Sequence, residues 1–209
     1  MDKNIEGVLQ KYPSLSLVEE GIIEGFLEVG NEDKYFIKID ITNFPTSFPR
    51  VWETNERIPR KVDRHINKDD TLCFTTQVYI EILLATQVKS LVDFAEIILI
   101  PYLQNNSYFE INKEYKFGEF SHNYISAIID SLKEILNIER IDVITRLVFL
   151  ASKNFKIRPN DKCFCGSNLK IKICKNHLKG FKDLRKISKS TLQEYFKFLK
   201  KLAIHNQKL

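Results

Sequence analysis

The N-terminal fifty residues show a change of hydrophobic period from helical to alternating. Residues 4–11 carry apolar side chains three and four positions apart, which predicts a short helix. Residues 21–29 and 34–41 are strand-like, and the polar segment 30–33 between them has the composition of a turn, which predicts an antiparallel hairpin. A third strand is predicted at 50–53, after a loop that contains two prolines.

The rest of the chain is predicted to be helical apart from its irregular segments. Residues 54–72 show no period, and a loop of this length inside a compact domain is usually functional. Helical spacing of apolar residues predicts helices over 88–103, from Ser121 or Asn123 to 136, over 141–152 and over 190–205, with a polar loop at 104–120. This order predicts an α+β fold in which helices pack on one face of an antiparallel sheet.

The charge is distributed unevenly and suggests a second module. The 209 residues include 32 Lys or Arg against 27 Asp or Glu, but after Lys153 the acids are only Asp161, Asp183 and Glu194. The length suits one well-packed domain of roughly 150 residues with a small appendage. We therefore expect a main domain over 1–155 and a basic module over 156–209.

The hydropathy of the chain indicates neither export nor membrane insertion. The start of the chain lacks the apolar run of a signal peptide. The most apolar stretch, 91–103, contains Asp93 and Glu96 and is too short to span a bilayer. The expectation is a soluble cytoplasmic protein whose cysteines are reduced.

A cluster of metal-binding residue types lies in the basic module. Cys163, Cys165, Cys174 and His177 fall within fifteen residues, which is suitable spacing for a tetrahedral Zn²⁺ site. Since the segment has little apolar content, bound metal is expected to provide most of its folding free energy.

The same segment resembles the SEC-C motif, in which Cys-x-Cys-Gly-Ser is followed by two further ligands. Cys163, Cys165 and Cys174 match that spacing, whereas Lys175 stands at the fourth ligand position and His177 is a substitute two residues later. SEC-C motifs accompany many unrelated domains, so the resemblance implies a docking role.

Cys73 stands apart from the other three cysteines, at the end of the irregular segment. Taken alone, it is either a buried core cysteine or a nucleophile. The sequence around it resembles the ubiquitin-conjugating enzymes, which have a helix, a β-meander, a proline-containing turn and a long flap carrying His-Pro-Asn before the catalytic cysteine. Here the turn is Phe44-Pro45-Thr46-Ser47-Phe48-Pro49, and the flap ends with Arg64-His65-Ile66-Asn67 and Thr71-Leu72-Cys73. Ile66 replaces the proline of the family, and the flap is shorter.

The resemblance is closest to divergent bacterial members found beside cyclic-nucleotide synthases in antiphage (CBASS) operons. The matching segments are Arg57-Ile58-Pro59-Arg60, His65-Ile66-Asn67-Lys68-Asp69, Leu72-Cys73 and Phe117-Gly118-Glu119-Phe120-Ser121-His122. The resemblance covers roughly residues 1–140. It implies a UBC-like fold with Cys73 as the nucleophile, Asn67 near the oxyanion and His65 shaping the flap.

Four charged residues of the flap have two interpretations each. Asp69 and Asp70 either act on an incoming lysine, by orienting it or depressing its pKa, or are ordinary loop acids. Arg60 and Arg64 either have a functional role, by holding an acidic tail or lowering the pKa of Cys73, or are solvated loop cations. His122 is interpreted as a helix-capping or core histidine.

The resemblance implies a transferase that holds a protein C-terminus as a thioester on Cys73. The expected partner is the C-terminus of a cyclic-nucleotide synthase. Since the chain has no glycine-rich nucleotide-binding loop, an activating enzyme is expected as well. The alternative is a non-catalytic adaptor of the same fold that docks through the zinc knuckle. A nucleic-acid binder is a third hypothesis, but helical spacing explains the basic tail as a solvent face, so nucleic acid is not an expected partner.

Overall fold

The computed structural model describes residues 2–30, 33–116 and 124–206. By their contacts these residues form two compact units. Unit 1 comprises residues 1–75 and 83–122, and unit 2 comprises 76–82 and 123–209. Residues 124–152, which belong to the predicted main domain, thus lie in the same compact unit as the cysteine-rich segment. The predicted ranges 1–155 and 156–209 refer to family domains and not to compact units, so they stay a prediction.

Unit 1 begins with a helix and an antiparallel meander. Helix α1 (Lys3–Lys11) begins after Asp2, whose carboxylate accepts the N–H of Asn4. Among the described residues the sheet has four strands in the order β1-β2-β3-β4. Their bounds are Leu15–Glu19, Ile22–Gly30, Asp33–Asp40 and Arg50–Glu53.

The predicted helix and three strands are confirmed, but β1 was not predicted. Only Leu15 of its five residues is buried, so this edge strand carries no alternation that the sequence could display. Residues 31 and 32 of the predicted turn lie outside the described residues. Gly25 allows β1 to approach β2, because its φ is +147° and a Cβ there would lie 2.1 Å from the carbonyl oxygen of Ser14.

The helices of unit 1 pack on one face of this sheet. Helix α2 (Gln77–Thr86), of which residues 77–82 belong to unit 2, is followed in unit 1 by α3 (Leu91–Phe94), a π-helical turn (Ala95–Leu99) and α4 (Ile100–Asn112). Ser90 and Asp93 form a capping box at the start of α3. The π-helical turn precedes Pro101, whose missing N–H leaves one helical bond unmade.

The predicted loop at 104–120 is wrong over its first part, because α4 continues to Asn112. Several of its polar residues take hydrogen-bond partners from other elements. Ser107 shares a hydrogen bond with the Tyr35 hydroxyl (2.8 Å), and the side-chain amide of Gln104 donates to the carbonyl of Val29. Because these residues are polar, the sequence lacks the helical spacing of apolar residues that normally predicts a packed helix.

Unit 2 is helical around one hydrophobic core. Its helices are α5 (Tyr124–Leu136), α6 (Ile141–Ser152), α7 (His177–Leu184) and α8 (Lys189–Asn206). The core includes Leu132, Leu136, Ile144, Leu147, Leu184, Leu192 and Leu199. The predicted helices at 141–152 and 190–205 are confirmed within one residue, whereas α7 was not predicted. Ile125 was expected on the buried face of α5, but it is 43% exposed. The predicted caps, Ser121 and Asn123, lie outside the described residues.

Candidate functional site

The flap, residues 54–73, is anchored at its start by buried charged groups. Glu53 is 3% exposed, and its carboxylate accepts the N–H groups of Asn55 (2.9 Å) and Ile58 (3.2 Å). Arg57 donates to Glu110 (2.8 Å), to Asp33 and to the carbonyl of Lys34. Burial opposes the charge of Arg57, but these two carboxylates raise its pKa further above the ordinary value. The flap therefore leaves β4 in a defined direction.

The end of the flap is a tight hydrogen-bonded turn that delivers Cys73. Ile66 and Leu72 form an antiparallel bridge, and the N–H of Asn67 donates to the carbonyl of Thr71 (2.8 Å). The N–H of Cys73 then donates to the carbonyl of His65 (2.8 Å). Cys73 is thus held next to His65 by the backbone itself.

The thiol of Cys73 is half-buried, and burial raises its pKa. The hypothesis that Arg60 and Arg64 lower this pKa is not supported, because the pKa is raised, and burial raises it. Arg60 pairs with Asp70 (3.3 Å). Arg64 is also not a solvated cation: it is 8% exposed and donates to Asn106 (2.9 Å) and the Tyr115 hydroxyl (3.2 Å).

The other predicted residues of the flap lie around the same turn. The side-chain amide of Asn67 donates to the Thr71 hydroxyl (2.9 Å), and this asparagine is exposed. Asp69 accepts from the hydroxyl of Thr71 (2.7 Å) and from Arg50 (2.9 Å). These bonds hold its pKa below the ordinary value, the Thr71 hydroxyl contributing most. Asp69 therefore stabilises the turn itself.

His65 contacts this region through its backbone and its ring. Its φ of +53° is in the left-handed region, and its ring lies 5.2 Å from that of Tyr115. The role of His65 in shaping the flap and that of Asn67 at the oxyanion stay predictions. The predicted motif 117–122, including His122, lies outside the described residues.

The cysteine/histidine cluster consists of Cys163, Cys165, Cys174 and His177. The four ligand atoms, three Sγ and one nitrogen, lie within 4.8 Å of one another. Cys163 Sγ is 3.0 Å from His177 Nδ1, and Cys165 Sγ is 3.5 Å from Cys174 Sγ. Ligands at ordinary zinc bond lengths are separated by about 3.5 to 3.8 Å, so this cluster can bind a metal ion.

Local turns bring the three sulfurs together. Lys162 and Lys170 form an antiparallel bridge, and the N–H of Cys163 donates to the carbonyl of Leu169 (2.8 Å). Gly166 closes the loop between them with a φ of +86°. A 3₁₀ turn, Ile171–Ile173, leads directly to Cys174.

His177 is directed toward the cluster by a residue of α5's C-terminal end. His177 is 1% exposed, and its Nε2 lies 3.1 Å from the carbonyl oxygen of Asn137. Since a carbonyl only accepts, Nε2 carries the proton and Nδ1 presents its lone pair to the sulfurs. Lys175, at the fourth ligand position of the motif, is exposed. Left-handed backbone at Lys175 and Asn176 brings His177 into the cluster in its place.

The thiols of the cluster differ from one another in acidity. Burial raises the pKa of Cys163 to about 12, whereas the hydroxyl of Ser167 and other donors lower the pKa of Cys165 to about 6. A bound cation replaces thiol protons in such a site.

Two residues near the cluster were missed in the sequence analysis. Ser167 lies 3.2 Å from Cys174 Sγ, and the Cys-Gly-Ser part of the motif is a signal that could have identified it. Asn137 is forty positions from His177, and no sequence signal connects them.

Comparisons with known proteins add no assignment to these sites. No protein-family model, curated protein or solved structure matches the chain. Within the described residues, none of the helices combines the length and apolar character needed to cross a membrane. The residues themselves, and the resemblance that they carry, are therefore what indicates a function.

Proposed function

We propose that the protein is an acyl transferase of the ubiquitin-conjugating type, with Cys73 as its nucleophile. The observation that supports this most directly is the position of Cys73. It is a half-buried thiol held through its own N–H at the end of a hydrogen-bonded flap. In the proposed reaction the sulfur displaces the leaving group of an activated C-terminal carboxylate. An amine then displaces the sulfur and takes the acyl group.

The order of elements agrees with this proposal. Helix α1, an antiparallel meander, an irregular flap and further helices follow one another as the resemblance implies. Because the same order is compatible with other α+β folds, the main support for the proposal comes from the flap.

The chemistry of the flap assigns a part to each of its residues. Burial raises the pKa of Cys73 and favours the protonated thiol, so in the proposal its proton passes to the displaced leaving group as the sulfur attacks. Asn67 uses one N–H on Thr71, and its amide carries a second N–H, which the proposal assigns to the oxyanion. His65 contributes its carbonyl, which accepts the N–H of Cys73.

The resemblance also guides the proposal of partners. The acyl donor would be the C-terminus of a cyclic-nucleotide synthase in the cytoplasm, and a separate activating enzyme would load Cys73. Conjugation or a stable thioester would then regulate signal synthesis in antiphage defence.

The cluster is proposed to hold one structural Zn²⁺. Three thiolates and one imidazole are a preferred zinc donor set, and four protein ligands leave no open position for catalysis. Elemental analysis of the purified protein should find about one zinc per chain. Cys174→Ala should lose it, whereas Cys73→Ala should retain it. Zinc retained by Cys174→Ala would contradict this assignment.

A non-catalytic adaptor is the second candidate, and the raised pKa of Cys73 favours it. A nucleophile is more often activated by a lowered pKa. In this alternative the fold and the zinc knuckle bind partner proteins, and Cys73 is a packing residue.

Intact-mass analysis distinguishes the two candidates. The protein is co-expressed with its genomic neighbours and analysed without reductant, as wild type and as Cys73→Ala. The transferase predicts a thiol-labile protein adduct on the wild type alone, whose mass identifies the partner. An absent adduct together with full cellular activity of Cys73→Ala would support the adaptor.

A further inference from the structure

A buried polar network lies beneath the flap, and the proposed chemistry does not use it. The guanidinium of Arg64 donates to Asn106 and to the Tyr115 hydroxyl and lies 4.2 Å from the centre of the Phe109 ring. No carboxylate pairs with Arg64 in the part of the chain that the structure describes. Burying a guanidinium among neutral partners costs free energy. The surrounding contacts must therefore hold Arg64 firmly in this place.

Tyr102 connects this network to Cys73 through two contacts, one made by its hydroxyl and one by its ring. Its hydroxyl donates to the carbonyl of His65 (2.9 Å), and that carbonyl in turn accepts the N–H of Cys73. The ring of Tyr102 also packs edge-on against Phe74, the residue after Cys73, with 5.2 Å between the ring centres. A longer bond, 3.3 Å, runs from the same hydroxyl to the carbonyl of Arg64.

One face of α4 supplies most of these contacts. Tyr102, Asn106 and Phe109 are four and three positions apart, so they project from the same side of the helix. The turn they hold contains His65 in the left-handed region, a conformation that costs a non-glycine residue free energy. The face of α4 therefore maintains a turn that the flap sequence would not favour alone.

We propose that Arg64 and Tyr102 are positioning residues that hold the Cys73 thiol in its half-buried place for acyl transfer. The inference rests on the proposed role of Cys73. Both residues act through the backbone of the flap. The charge of Arg64 is not the means, because a neighbouring cation would lower the pKa of Cys73, whereas burial raises it.

Alkylation of Cys73 by iodoacetamide tests this without any partner. The rate is measured against pH on the full-length protein and followed on the Cys73 peptide by mass spectrometry. Variants Tyr102→Phe and Arg64→Gln are compared with the wild type. Arg57→Gln is the matched control, since Arg57 anchors the start of the flap through Glu110 and Asp33.

Loosening the turn should expose the thiol and return its pKa toward the ordinary value. We expect both variants to alkylate roughly threefold to tenfold faster at pH 7, as a shift of about half to one pKa unit requires. Arg57→Gln should keep the wild-type profile. The titratable and charged groups that face this turn are His65 and Arg64 of the flap, Tyr102 of α4, and Tyr115.

One result would contradict the positioning role, and a different result would contradict the transferase proposal on which it rests. If both variants melt at lower temperature, as we also expect of Arg57→Gln, but keep the wild-type pH profile, the network is structural and the positioning role is wrong. If the profile shifts but no adduct forms on wild-type Cys73 in the co-expression experiment, positioning holds and the transferase proposal fails.

Discussion

The flap and the cluster both present cysteines, but they position them in different ways. The cluster draws its four ligand atoms from fifteen consecutive residues and holds them within 4.8 Å. Cys73 instead depends on a turn whose supports, such as Tyr102 and Tyr115, are 37 and more positions away from the residues they bind. One site is assembled locally, and the other is assembled by the tertiary structure.

The acidity of the thiols follows the same division. In the cluster, neighbouring donors drive the pKa of Cys165 down to about 6 while burial raises that of Cys163 to about 12. At Cys73 burial raises the pKa. A group of cysteines can modify its own acidity, whereas a single cysteine is governed by how deeply its surroundings bury it.

Metal removal should produce the largest effect, because it acts on the locally assembled site. The segment of the cluster buries few side chains of its own, and structural zinc typically contributes on the order of 10 kcal/mol in small zinc domains. We expect chelation, or Cys174→Ala, to abolish hydrogen-exchange protection of residues 163–177. Protection that survives complete loss of metal would show that packing alone holds this segment. Zinc added back to the chelated wild type serves as the control.

Glu53→Gln should produce an intermediate effect, because it removes one acceptor at the start of the flap. The amide can replace only one of the two carboxylate oxygens that accept from Asn55 and Ile58. Leaving a buried N–H without a partner costs about 1–3 kcal/mol. Urea unfolding followed by the fluorescence of Trp52, the single tryptophan, measures this loss.

Glu24→Gln is the matched control for that variant. Glu24 lies on the outer face of the sheet, 3.6 Å from Lys38, and its partly exposed ion pair should contribute at most about 1 kcal/mol. Equal losses in the two variants would mean that the Glu53 carboxylate does not define the flap.

Acid should produce the smallest effect, through Asp69. Its pKa is lower in the folded protein than in the unfolded chain, so its contribution is present above about pH 4 and is lost as the pH falls through the folded value. Trp52 reports on this directly, because its indole N–H donates to the carbonyl of Asp69 (3.2 Å). As the pH falls below about 4, its emission should change in the wild type and less in Asp69→Asn. Identical titrations would assign the change to other carboxyl groups.

The sequence allowed accurate prediction where burial follows a simple period. The helix at Ile141–Ser152 was predicted at its observed bounds, because apolar residues mark its buried face. Edge strand β1 was missed since only Leu15 is buried, and the second half of α4 was missed because its contacts are polar. Both failures arise where packing partners, and not hydrophobicity, specify the element.

By itself the sequence determined the candidate metal ligands, since Cys163, Cys165, Cys174 and His177 are close in the chain and few short turns are needed to bring them together. It also identified Cys73 as the end of an irregular segment. Only the tertiary structure decided that Arg64 is buried and bound to Asn106, and that Asn137 orients His177. The reason is physical: hydrogen bonds between residues tens of positions apart depend on how helices and strands pack, which no local pattern records.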